Sequence, residues 1–125
     1  MFYPLVNKRL QAELQNLTNI DVVWLYGSHA KGNAEENSDI DLAVAFHSHD
    51  NLDLYACDDL AYAMSIALNE RISVVDINKI PTPLSYAVIT DGKVLLSRND
   101  LRLHKEEQRI WSKWEEYEYE FKRYH

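Results

Sequence analysis

Asp21-Val-Val-Trp-Leu-Tyr-Gly-Ser28, followed across a polar loop by Asp39-Ile-Asp-Leu-Ala-Val-Ala-Phe46, is the stretch whose reading decides the fold. The first segment is short, β-branched and aromatic and stops at Gly27-Ser28, so it reads as a buried strand running into a tight turn. The loop holds Gly32, Asn33 and Asn37, after which Ile40 to Phe46 reads as a second strand. Side chains two apart on a strand share a face, so Asp39 and Asp41 set two carboxylates side by side at the mouth of that strand. Such like charges repel each other unless a divalent cation lies between them.

Outward from this centre the elements follow in order. Leucines 10, 14 and 17 recur with helical spacing, which predicts an amphipathic helix over Leu5 to Leu17 with Pro4 suited to its first turn. Tyr55 to Asn69 carries Leu60, Met64, Ala67 and Leu68 at three- and four-residue spacing, with Asp58 and Asp59 near its start, and reads as a second helix. Ile72-Ser-Val-Val-Asp-Ile77 is a third strand. Thr82 is placed to cap a short helix through Thr90, Gly92 to end it, and Lys93 to Ser97 to form a fourth strand. Asn99 or Asp100 then caps a long final helix, in which Ile110, Trp114, Tyr117, Phe121 and Tyr124 alternate four and three apart. That seam suits either docking on its own domain or a protein interface, where such rings supply hot spots.

Length and composition bound the function. A chain of 125 residues, 46% hydrophobic, fits one α/β domain, residues 1–125, with its own core. The lone Cys57 has no internal disulfide partner and sits on the apolar face of a helix, so it reads as a packed thiol in a reducing compartment. Neither a signal-peptide layout nor an apolar run of about 20 residues occurs, which predicts a soluble cytoplasmic protein with no membrane partner. A formal charge of −7 argues against a surface that tracks nucleic acid.

The chemistry gathers at the turn and the carboxylates. A tight turn after a strand aims backbone N–H groups and the Ser28 hydroxyl at a phosphate oxygen, and Lys31 adds positive charge there. Asp76, near the end of the third strand, is expected to point at the same spot, giving three carboxylates on two strands and a two-metal site. A nucleoside triphosphate so held would be attacked in line by a hydroxyl deprotonated with help from Asp76 or the metal. Each piece alone is ordinary in turns and caps; their joint spacing favours a catalytic site. His47, His49 and Asp50 lack partners at metal-ligand spacing and read as a solvated loop. Trp24 reads as core, and Arg71 as a surface arginine at a helix end.

The string Gly27-Ser-His-Ala-Lys-Gly-Asn-Ala-Glu-Glu-Asn-Ser-Asp-Ile-Asp41 resembles the Gly-Ser-x10-Asp-x-Asp signature of the polymerase-β-like nucleotidyltransferases. The short chain further resembles their minimal branch, the MntA-type antitoxins paired with HEPN-domain toxins of the HepT type. The likeness runs from about Trp24 to Ile77. It implies a mixed sheet of about four strands flanked by helices. It implies that Gly27, Ser28 and Lys31 bind the nucleotide, and that Asp39, Asp41 and Asp76 hold magnesium and carry catalysis. It also implies a type VII antitoxin that moves AMP from ATP to a tyrosine of a HEPN ribonuclease toxin, with residues 100–125 a helix available for the partner. Two alternatives stand beside it: a transferase for a small molecule such as an aminoglycoside, and an antitoxin that neutralises by binding alone. Lysine at position 31, where many relatives carry arginine, offers a point charge without the bidentate fork.

Overall fold

The computed structural model describes residues 4–35, 37–47 and 54–124. Its elements are α1 (Pro4–Gln15), β1 (Ile20–Tyr26), α2 (Ser28–Lys31), β2 (Ile40–Phe46), α3 (Ala56–Leu68), β3 (Ile72–Asp76), α4 (Thr82–Asp91), β4 (Lys93–Ser97) and α5 (Asp100–Tyr124). The four strands form one mixed sheet in the order β3-β2-β1-β4, with β2 and β3 parallel and the other neighbours antiparallel. This is the expected α/β architecture.

Strand alternation divides the core into two layers. Val23, Leu25, Ile40, Leu42, Val44, Ile72 and Val74 face α1 and α3, where Leu10, Leu14, Met64 and Leu68 close over them. Val22, Trp24, Ala43 and Ala45 face α4 and α5, where Val88 and Ile110 cover them. Trp24 pairs with Ala43 across the strands, so a small neighbour makes room for the indole, which is buried as the sequence indicates. With both faces covered, β1 and β2 read as almost unbroken apolar runs.

Local chemistry explains where the elements end. Asn99 caps α5, its side-chain oxygen accepting the Arg102 N–H at 3.0 Å, while the Asp100 carboxylate accepts a hydrogen bond from Ser97. Thr82 does not cap α4: Pro81 holds that position and no side chain caps it. Gly92 is needed for space rather than for handedness. Its backbone is extended, and a Cβ there would overlap the carbonyl oxygens of Val88 and Leu25, where α4 meets β1. The turn at Gly27-Ser28 opens into a single helical turn, α2. The half-buried Cys57 packs against the core beneath α3, and burial pushes its thiol pKa up, as expected of an inert thiol. Among the described residues no helix is long and apolar enough to cross a membrane.

Candidate functional site

Tyr26, the last residue of β1, lies opposite Asp41 near the start of β2, so the antiparallel register delivers the turn after β1 to the carboxylates before and within β2. Gly27 adopts φ 74 and ψ −155, a backbone state that L side chains avoid. Space demands glycine as well, since a Cβ would stand 2.5 Å from Asp41 Oδ2. The carboxylate of Asp41 is thus pressed against the bare backbone of the turn, with Ser28 next in line at the first position of α2.

Asp39 and Asp41 differ in setting. Asp39 is half-exposed and pairs with Arg71, whose Nε lies 3.2 Å from its Oδ1. Arg71 also donates to the Asn37 carbonyl, and its own carbonyl accepts the Ile40 N–H at 2.9 Å. The arginine set aside on sequence grounds therefore sits on one of the two carboxylates. Its position at the entry to β3, paired with β2 from Ile40 onward, is what brings it there. Burial, and then the charge of Asp39, push the Asp41 pKa up, with His29 partly offsetting them. Burial and the Asp41 charge likewise raise the Tyr26 phenol. His29 is buried, and its Nε2 lies 3.1 Å from the Ser38 carbonyl, which ties α2 to the end of the loop and fixes the approach to Asp39. Lys31 stands at the rim, 4.0 Å from Asp91 at the end of α4, with both side chains largely in solvent.

Asp76 is not brought to this spot. In the parallel β2–β3 register it lies opposite Val44, three residues along from Asp41, which is about 10 Å at the usual rise. Its parity is that of Ile72 and Val74, so it faces α3, whereas Asp41 shares the face of Ala43 and Ala45. Its charge is felt by Cys57 on α3, and its Oδ1 accepts the Asn78 N–H at 2.9 Å, closing a turn. The residue of β3 that does lie opposite Asp41 is Ser73. Among the described residues no group of three His, Cys, Asp or Glu side chains has metal-holding geometry. His47 bonds Asp21 at 2.9 Å, at the other end of the sheet; His49 and Asp50 lie outside the described residues.

Residues 8–101 match the family pattern described as polymerase beta, nucleotidyltransferase. A protein adenylyltransferase MntA of Shewanella oneidensis is 35% identical over 89 residues, which cover 71% of this chain and 63% of that relative's length. Among solved structures, a toxin-antitoxin with AMP-PNP superposes with a TM-score of 0.76 at 29% identity, over 92% of this chain and 90% of the other. A second, the toxin-antitoxin MntA-HepT, has a TM-score of 0.72 at 26% identity over 94% and 92% of the two chains. The family pattern spans the turn, both carboxylates and all four strands, and the chain belongs to the polymerase beta nucleotidyltransferase family.

Proposed function

We propose that this chain is the antitoxin of a type VII toxin–antitoxin pair, a protein adenylyltransferase that moves AMP from ATP to a tyrosine hydroxyl of a HEPN-domain ribonuclease toxin. The observation that carries the reading is the close approach of the Gly27 backbone to the Asp41 carboxylate, which supports a turn able to present a phosphate to that acid and its neighbour Asp39. The likeness to an adenylyltransferase and to a toxin-antitoxin with AMP-PNP supports the nucleotide and the partner.

The donor set fits magnesium, because the cation takes hard oxygen ligands and is commonly held by one or two carboxylates together with substrate phosphates. Burial and Asp39 both disfavour the charged form of Asp41, and a cation between the two acids would relieve that cost. Asp39 and Asp41 would hold it, and when bound it would neutralise charge on the triphosphate around the reacting phosphorus. Gly27 and Ser28 bind the triphosphate through the turn, and Lys31, held only loosely by Asp91, is free to swing its charge toward the phosphates. The tyrosine oxygen attacks the α-phosphorus in line, the bond to the bridging oxygen breaks, pyrophosphate departs and the hydroxyl proton is released.

Incubating the chain with a HEPN toxin, magnesium and ATP labelled at the α-phosphate tests this, with intact mass as the readout. One or more AMP units on the toxin, lost in an Asp39→Asn, Asp41→Asn double variant, is the expected result. A second reading, neutralisation by binding alone, is favoured by the exposed aromatic rings on the outer half of α5. It prevails if the double variant still silences the toxin at equal concentration.

A further inference from the structure

The start of β3 runs alongside the two acids: Arg71 sits on Asp39, and two residues on, Ser73 lies opposite Asp41 in the parallel register. The β2–β3 pairing carries no bulge from Ile40↔Ile72 to Val44↔Asp76, so the side chains of paired residues share a face. Ala43, Ala45, Val75 and Ile77 all lie in the layer under α4 and α5, which puts Ser73 and Asp41 on that face together. Neighbouring strands are about 4.8 Å apart, within the span of one coordinated cation. Ser73 is half-buried, and the nearest acid of its own strand, Asp76, is on the opposite face.

We propose that Ser73 is the third side chain of the cation site, and that its neutral hydroxyl, in place of a third carboxylate, makes cation binding depend on the phosphates of the nucleotide. The inference rests on the reading of Asp39 and Asp41 as the cation's ligands. Two carboxylates, one of them paired with the exposed Arg71, bind a divalent ion weakly, because affinity for such ions follows the charge of the ligand set. A triphosphate supplies the missing negative charge, so ion and nucleotide enter together. A third acid would remove that dependence, and in the ion-free protein it would add repulsion to a pair that already repels.

Manganese binding to the purified full chain, followed by its paramagnetic signal with and without a non-hydrolysable ATP analogue, is the test. In the unsubstituted chain the analogue is expected to tighten manganese binding at least tenfold. Ser73→Asp should tighten binding in the absence of nucleotide by about tenfold, and should lower Tm in chelator and raise it again with manganese. Ser73→Ala, which leaves the backbone and volume nearly unchanged, should loosen the ternary complex a few-fold. Asp76→Asn, which keeps an oxygen for the Asn78 N–H, should leave binding unaltered. Unchanged affinity in both Ser73 variants, while Asp41→Asn abolishes binding, overturns the role of Ser73 alone. Manganese binding that survives Asp41→Asn overturns the inference together with the reading beneath it.

Discussion

At the scale of single residues, Asp41 is held in a state that the fold itself disfavours. Its pKa is raised by burial and by Asp39, so its ionised form is less stable in the folded chain than in the unfolded one. For a carboxyl whose folded value lies above the unfolded one, the penalty is absent at low pH, where both states are protonated, and sets in as pH rises through the folded value. Asp41→Asn should therefore raise Tm in cation-free buffer at neutral pH by about 1–3 °C after allowance for solvent screening, while abolishing the proposed AMP transfer. The gain should vanish below about pH 4, because protonated Asp41 resembles asparagine. Calorimetry across pH checks this, and a loss of stability in the variant would contradict it. The sequence displayed Gly27, Ser28, Asp39 and Asp41 because their relation is local, a turn and a two-residue spacing. Asp76 was misplaced because the face and level of a β3 residue depend on the register with β2, and an odd offset of three residues from Ser73 reverses the face.

At the scale of elements, α5 is two helices in one. Its first half is docked, with Glu106 and Ile110 buried, and Trp114 stacks on Tyr86 of α4 at 4.2 Å. From there a ladder of rings continues outward, Trp114 to Tyr117 to Phe121, where Tyr117 and Phe121 are exposed and line a shallow apolar groove with Glu118 and Lys122. Of the two uses foreseen for the seam, docking on its own domain is met by the inner rings, while the outer ones face solvent. With the HEPN toxin as the occupant, a Tyr117→Ala, Phe121→Ala double variant should weaken the complex by at least tenfold, since buried aromatic anchors each carry about 1–2 kcal/mol or more. Its Tm should stay within about 2 °C of the parent's, because exposed side chains contribute little to folding. Titration calorimetry with the toxin decides, and an unchanged affinity would remove this face from the interface. Every strand and long helix was legible from apolar periodicity, with ends displaced by a residue or two. The exceptions are instructive: Thr82 looked like a cap beside Pro81, which holds that position instead, and the close approach of α4 to β1 that demands Gly92 is a tertiary fact.

At the scale of the whole molecule, the two ends of the sheet do opposite work. β1 is 7 residues long, so about 20 Å separate the paired acids beside Gly27 from a polar cluster at the start of β1. In that cluster Arg102 of α5 bonds Glu106, Asp21, the Phe46 carbonyl and Asn78, while Glu106 also accepts from Asn78 and Arg109. It joins α5 to the ends of β1 and β2 and to the segment after β3, and its charges are satisfied on every side. Burial pushes the Glu106 pKa up, but the bonds from Asn78, Arg102 and Arg109 outweigh it and the net shift is downward. A depressed carboxyl contributes stability that is complete above its unfolded value, near pH 4, and is lost as pH falls through its folded value. Glu106→Gln, which removes the anion shared by Arg102 and Arg109 and leaves Arg102 only Asp21 as an anion, should cost about 2 kcal/mol at neutral pH, with the difference from the parent shrinking under acid. Manganese affinity in the presence of the ATP analogue should not change, since this lock and the site occupy opposite ends of the strands. Urea unfolding at several pH values, paired with that binding measurement, separates the two ends; a fall in affinity matching the fall in stability would mean that the docking of α5 also sets the geometry of Asp39 and Asp41.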